Sequence, residues 1–232
     1  MRNRLWKIIN LLVIILVVFT FYFNRTVEVK SIDNNKTVII DKIDNKSKDI
    51  NIKELRKQYH NNDIMAYIEI PGVTKSMVLQ SSNNDYYLNH DVNKKEDIKG
   101  TVVLDFRNKI NDKKLLLYGH SGKEKDLPFL KRNNYVKKDY WEKHNTINLY
   151  TLDGKKEYKI FSSYIETNDY DYVNLKSFNG LSWYEHINKL KNKSYYNTDV
   201  KLDKNDKIII LQTCSINNQG YQKYHLVIGK EV

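Results

Sequence analysis

The chain has 232 residues, 41% of them hydrophobic, which suffices for one globular domain and an appendage; no Pro/Gly/Ser linker marks off a second full domain. Its formal charge of +11 is dispersed, and no helix-turn-helix, zinc-finger or RNP pattern accompanies it, so nucleic acid is not expected as a partner. Cys214 is the only cysteine, which excludes an internal disulfide and a cysteine-based metal cluster.

In chain order, Ile8 to Phe23 reads IINLLVIILVVFTFYF, close to the roughly 20 residues that span a bilayer once Leu5 and Trp6 are added. Arg2, Arg4 and Lys7 precede it, which predicts a cytoplasmic N-terminus and an extracellular remainder, a single-pass protein of the cell membrane. A cleavable signal peptide is the rival, weakened by the bulky FTFYFNR tail with no small-x-small site. Residues 1–25 thus read as cytoplasmic tip and anchor, 26–51 as a polar stalk, and 52–232 as the folded domain.

That domain reads as mostly β. A short helix is expected over Ile52 to His60, then strands at Ala66–Ile70, Ser76–Gln80, Thr101–Asp105 and Lys114–Tyr118. Strands at Thr146–Thr151 and Tyr158–Tyr164 flank Asp153-Gly154, a hairpin signal, and two more lie at Lys207–Gln212 and Tyr224–Ile228. Eight short strands predict a closed or nearly closed barrel. Ser182 and Glu185 form a capping-box pattern ahead of Trp183, Ile187 and Leu190 at helical spacing, a helix expected to cover one end of the barrel.

Cys214 follows the apolar run KIIILQ, and His120 ends another, LLLYGHSG. Central strands hold their ends rigidly, which suits a reacting atom. A cysteine nucleophile needs a base or cation nearby, because the thiolate is the attacking species, and histidine moves a proton near neutral pH. Taken singly, a lone cysteine is most often a small buried side chain, and a histidine at a strand end is most often structural. An unpaired thiol outside the cell, with His120 at the end of a second strand, is a more specific pattern and leaves the catalytic and structural readings evenly balanced.

LLLYGHSG followed far downstream by IIILQTC resembles the sortase family, most like its class B members. NNDIMAYIEIPGVTKSMVLQSSNNDYYLNHD, KGTVVLDFRN and the insert around Trp183 resemble the same family, over about residue 52 to Val232. The resemblance implies an eight-stranded sortase barrel with a few short helices and a two-step transpeptidation. Cys214 would attack a threonyl carbonyl in the C-terminal sorting motif of a secreted protein, forming a thioester. A cell-wall peptide amine would then resolve it, with His120 as acid and base; no cofactor or metal is implied.

One departure stands out. The family carries an arginine on its last core strand, and counting back from Gly229 that position falls on Tyr224, which offers one uncharged hydroxyl instead of a charged fork. Either Tyr224 substitutes with reduced activity, or a bulge redirects Lys223 or His225, or the protein is a weak or inactive sortase-like wall-binding scaffold. Substrate contacts are expected from Asn84, Tyr86 and Tyr87, from Gln212, Thr213 and Ser215, and from Tyr184, Ile187 and Tyr195; Arg107 reads as structural. A secreted cysteine peptidase acting on peptidoglycan is the competing enzyme class, but it places its cysteine early, at a helix N-terminus, and its histidine later.

Overall fold

The computed structural model describes residues 50–121, 127–129, 134–167, 169–175, 180–216 and 222–232, with the backbone alone at 180, 181, 214–216 and 222. The apolar run of the N-terminus lies outside these residues; among the described ones no helix is long and apolar enough to cross a membrane.

Asn51 starts the first helix, α1 (Ile52–Tyr59), its Oδ1 accepting from the backbone N–H groups of Lys53 and Glu54, and His60 ends it in a left-handed conformation at φ 48°. Eight strands follow: β1 (Ile64–Ile70), β2 (Thr74–Leu79), β3 (Val102–Leu104), β4 (Lys114–Tyr118), β5 (Thr146–Thr151), β6 (Gly154–Glu166), β7 (Ile208–Ile216) and β8 (Gln222–Glu231). They close into a barrel in the order β1-β2-β3-β4-β7-β8-β6-β5. All eight expected strands are present. A helix at Lys138–Lys143, α2, carries no sequence pattern that announced it.

Alternation along the strands divides the apolar residues into two sets. Ile68, Val78, Leu104, Leu115, Leu117, Leu149, Ile209, Leu211 and Val227 fill the interior. Leu116, Ile208, Ile210, Leu226 and Ile228 face outward and pack under Trp183, Ile187 and Leu190 of a long helix, α3 (Gly180–Asn192). β4 and β7 are therefore covered on both faces, which is why KLLLY and IIILQ are uniformly apolar. Burying Ile187 fully contributes about 1.5–3 kcal/mol.

Two expectations need correction. The helix lies across the outer wall of β4, β7, β8 and β6 rather than over one end, because its apolar stripe meets the outward residues of those strands. It begins at Gly180, so Ser182 and Glu185 sit inside its first turns rather than at the cap position.

Candidate active site

The site grows from strand register. β4 and β7 run parallel, with Tyr118 opposite Gln212, and Gly119 extends the ladder by donating its N–H to the Gln212 carbonyl at 3.1 Å. β4 ends at Tyr118, so His120 stands two residues past its end, while Cys214 stands two residues past Gln212 within β7. Position 214 lies within β7, which runs on to Ile216, rather than after its end. Across the other edge of β7, Cys214 pairs with Tyr224 on β8, and Tyr224 pairs with Glu166 on β6. One row of the sheet thus reads Cys214, Tyr224, Glu166, with His120 in the segment that follows β4.

The local chemistry aims His120 outward. A Cβ on Gly119 would stand 2.5 Å from Phe129 Cδ2 in the core, so Gly119 faces inward and its successor does not. The His120 ring reaches the 3-10 turn Tyr86–Leu88, where its Nε2 donates to the Leu88 carbonyl at 2.8 Å. A carbonyl only accepts, so Nε2 carries the hydrogen and a neutral ring keeps Nδ1 as its lone-pair nitrogen.

Tyr224 is half-buried and packs edge-on against Tyr170, ring centroids 5.7 Å apart. Tyr170 belongs to a second 3-10 turn, Tyr170–Val173, whose Tyr172 donates its hydroxyl to Gln212 Oε1 at 2.9 Å. Lys193 fastens the start of this segment, bridging Glu166 Oε2 at 2.7 Å and Asp169 Oδ2 at 2.8 Å. The Lys193 and Lys189 hydrogen bonds hold the Asp169 carboxyl well below its usual range.

Beneath α3 lies a buried polar pair. Lys114 Nζ is 3.1 Å from His186 Nε2, and His186 Nδ1 is 3.4 Å from Asp171 Oδ2. Burial pulls the lysine down to about 8; burial and then Lys114 pull the imidazole down to about 4.

No family model matches the chain. Sortase B of Staphylococcus aureus is 28% identical over 241 residues, covering 99% of this chain and 97% of that protein. Sortase B of Listeria monocytogenes is 32% identical over 158 residues, covering 67% of this chain and 63% of that protein. Among solved structures, a sortase B complexed with triglycine superposes with a TM-score of 0.70 at 29% identity, over 78% of this chain and 84% of that one. Clostridium perfringens sortase B gives 0.70 at 26% identity, over 78% of this chain and 99% of its own.

The chain belongs to the sortase family, most like its class B members. A sortase-type cysteine transpeptidase needs a nucleophile and a base near one another, and the adjacent parallel strands β4 and β7 lead into His120 and Cys214. The other sequence candidates scatter. His225 faces the interior, 1% exposed, its Nε2 2.9 Å from Ser163 Oγ. Thr213, its partner across β7 and β8, is likewise buried and donates to Ser121 Oγ at 2.8 Å. Lys223 pairs with Ser215 and alternates with Tyr224, so neither Lys223 nor His225 shares the face of the row.

Asn84 is tied to the turn after β3, accepting from the Phe106 N–H at 2.8 Å and donating to Asp105 Oδ2 at 3.2 Å. Tyr86 stacks on His90 with centroids 4.1 Å apart. Tyr87 and Ile187 are fully buried, the former donating to Asp63 Oδ2 at 2.6 Å, so packing surrounds both. Tyr184 is exposed on α3, and the hydroxyl of exposed Tyr195 accepts from the Ile165 N–H at 3.1 Å.

Arg107 holds the buried Asp105 by two bonds, at 2.8 and 2.7 Å, and Tyr118 donates to the same carboxylate at 2.6 Å. Burial pushes Asp105 up, but these partners outweigh it and keep the carboxyl ionised. The segment around Tyr170 and Tyr172 was missed by sequence reasoning; its tyrosines carried no signal in a chain with 18 of them.

Proposed function

We propose that this enzyme cleaves a C-terminal sorting motif of a secreted protein at a threonyl carbonyl, holds the protein as a thioester on Cys214, and passes it to a cell-wall peptide amine. The observation that supports the reading is the parallel pairing of β4 and β7 up to Tyr118 and Gln212, each two residues before His120 and Cys214, with Tyr224 opposite the cysteine. In the first step the thiolate attacks, the peptide C–N bond breaks, and His120 gives a proton to the leaving amine. In the second, His120 takes a proton from the incoming amine, which attacks the thioester and releases the thiol. Peptide-like partners fit the relatives: one solved sortase B is complexed with triglycine, and another, from S. aureus, is a substrate complex with a TM-score of 0.72 at 26% identity, over 88% of this chain and 94% of that one.

We place the enzyme at the cell membrane with its N-terminus inside, on the apolar run Ile8 to Phe23 and the basic residues before it. Intact-mass spectrometry of the full chain in detergent tests the nucleophile. A pooled library of amidated pentapeptides with threonine fourth, and no added amine, should leave an acyl adduct that Cys214→Ala lacks. An unmodified wild-type chain would argue against acyl transfer.

A second reading is favoured by one observation, the tyrosine at position 224. An uncharged phenol there suits a slow enzyme or a wall-binding scaffold on the same fold. Loss of surface anchoring in cells carrying Cys214→Ala would speak against a scaffold.

A further inference from the structure

Gln212 stands two residues before Cys214 on β7, about 7 Å along the strand, and side chains at that spacing share a face. The residue is 8% exposed, and its Oε1 is taken by the Tyr172 hydroxyl at 2.9 Å. Tyr172 is itself 1% exposed, and burial raises its phenol, so it remains a donor throughout the working pH range. With Oε1 accepting, the Nε2 hydrogens point away from Tyr172. Among the described residues they meet no protein acceptor. The neighbour across the ladder, Tyr118, turns its hydroxyl to Asp105, to which it donates at 2.6 Å. The other neighbour, Leu226, is apolar.

An amide with both hydrogens unclaimed by protein, on the face that carries position 214, is a ready donor. It suits a site whose acceptor arrives with the substrate. An extended peptide with its scissile carbonyl at Cys214 repeats every two residues in about 7 Å, the spacing that separates position 214 from position 212. The row itself holds a phenol where the family resemblance implies a guanidinium, so donors on this face are scarce.

We infer that Gln212, oriented by Tyr172, donates its amide hydrogens to a backbone carbonyl of the peptide substrate within two residues of the scissile bond, on the acyl side, and so supplies hydrogen bonding that Tyr224 alone cannot. Gln212 is then a substrate-binding residue and Tyr172 a positioning residue. This rests on the transpeptidase reading above.

The test compares acylation of the full chain in detergent by the same threonine-fourth library, with concentration varied to separate the maximal rate from half-saturation. Gln212→Glu keeps an oxygen for Tyr172 but replaces the donors with a carboxylate; it should lower the rate by about tenfold, the order of one lost hydrogen bond, with an unchanged melting temperature. Tyr172→Phe should lower it by three- to tenfold in the wild type and have no effect in the Gln212→Glu background. Gln212→Glu acylating within twofold of wild type, or Tyr172→Phe acting equally in both backgrounds, overturns the inference while leaving the transpeptidase intact. A wild type that forms no adduct overturns the transpeptidase reading, and this inference with it.

Discussion

The Nε2 of His120 lies 2.8 Å from the carbonyl oxygen of Leu88, a residue of the turn that precedes β3. The bond fixes both the ring plane and the tautomer, leaving Nδ1 as the basic nitrogen on the side of the ring away from that turn. In ¹⁵N-histidine spectra of the neutral enzyme, His120 should show a protonated Nε2 and an unprotonated Nδ1. The reverse tautomer would break the link between the Leu88 carbonyl and the base. His120→Gln should lower acylation by about 10²–10⁴, the usual contribution of an acid–base group.

Gly119 fixes where that histidine stands. A methyl group added there meets Phe129 at 2.5 Å, and the aromatic ring has core on its other sides. Gly119→Ala should therefore cost about 1–3 kcal/mol in urea denaturation, as overpacking does, and should slow acylation by shifting the end of β4. A variant with wild-type stability and rate would show that Phe129 yields freely.

Tyr224 occupies the row between Cys214 and Glu166, and its hydroxyl is the contribution at stake. Tyr224→Phe should slow acylation by about tenfold, less than the ~10²–10³ typical of a stronger oxyanion donor. Tyr224→Arg should raise the rate above wild type. His225→Ala, by contrast, opens a buried bond to Ser163 and should chiefly cost stability, about 1–3 kcal/mol.

The Lys114–His186 pair predicts an acid-sensitive fold. The folded imidazole sits at about 4 against 6.5 for the free group, so between those values the unfolded chain binds the proton and the native one does not. Stability from this group is complete above pH 6.5 and falls as the pH drops through 4, by on the order of 3 kcal/mol. Lys114, at about 8 against 10.5, acts in a second window, where stability rises as the pH climbs from 8 to 10.5. Urea melts across this range should show both limbs, and His186→Asn should flatten the acidic one. An unchanged acidic limb in His186→Asn would assign it to other groups.

Much of this architecture was legible in the sequence because β4 and β7 are walled on both faces. Uniform apolar runs ending in Gly119-His120 and Thr213-Cys214 can only be central strands, and central strands carry their ends rigidly. The Cys214–Tyr224 pairing was legible only through the family resemblance. The far end of the row was hidden: Glu166 meets Tyr224 through a register that shifts at a bulge between Ile160 and Ser162, and no sequence pattern reports a bulge of that kind. The helix around Trp183 was legible as amphipathic but not as to which wall it covers, since an apolar stripe fits the end or the side of a barrel equally well. Tyr87 and Ile187 were drawn toward substrate by their neighbours in sequence, whereas burial decides their place.

The central claim is a transfer through Cys214, and the most direct measurement follows the fate of a preformed acyl-enzyme. The adduct would be isolated, mapped by tandem mass spectrometry, and challenged with triglycine or with buffer alone. The account predicts an acyl group on Cys214 that leaves as an amide-linked product, faster with triglycine than without. An adduct on any other residue, or release only as the free acid at a rate indifferent to the amine, would contradict it.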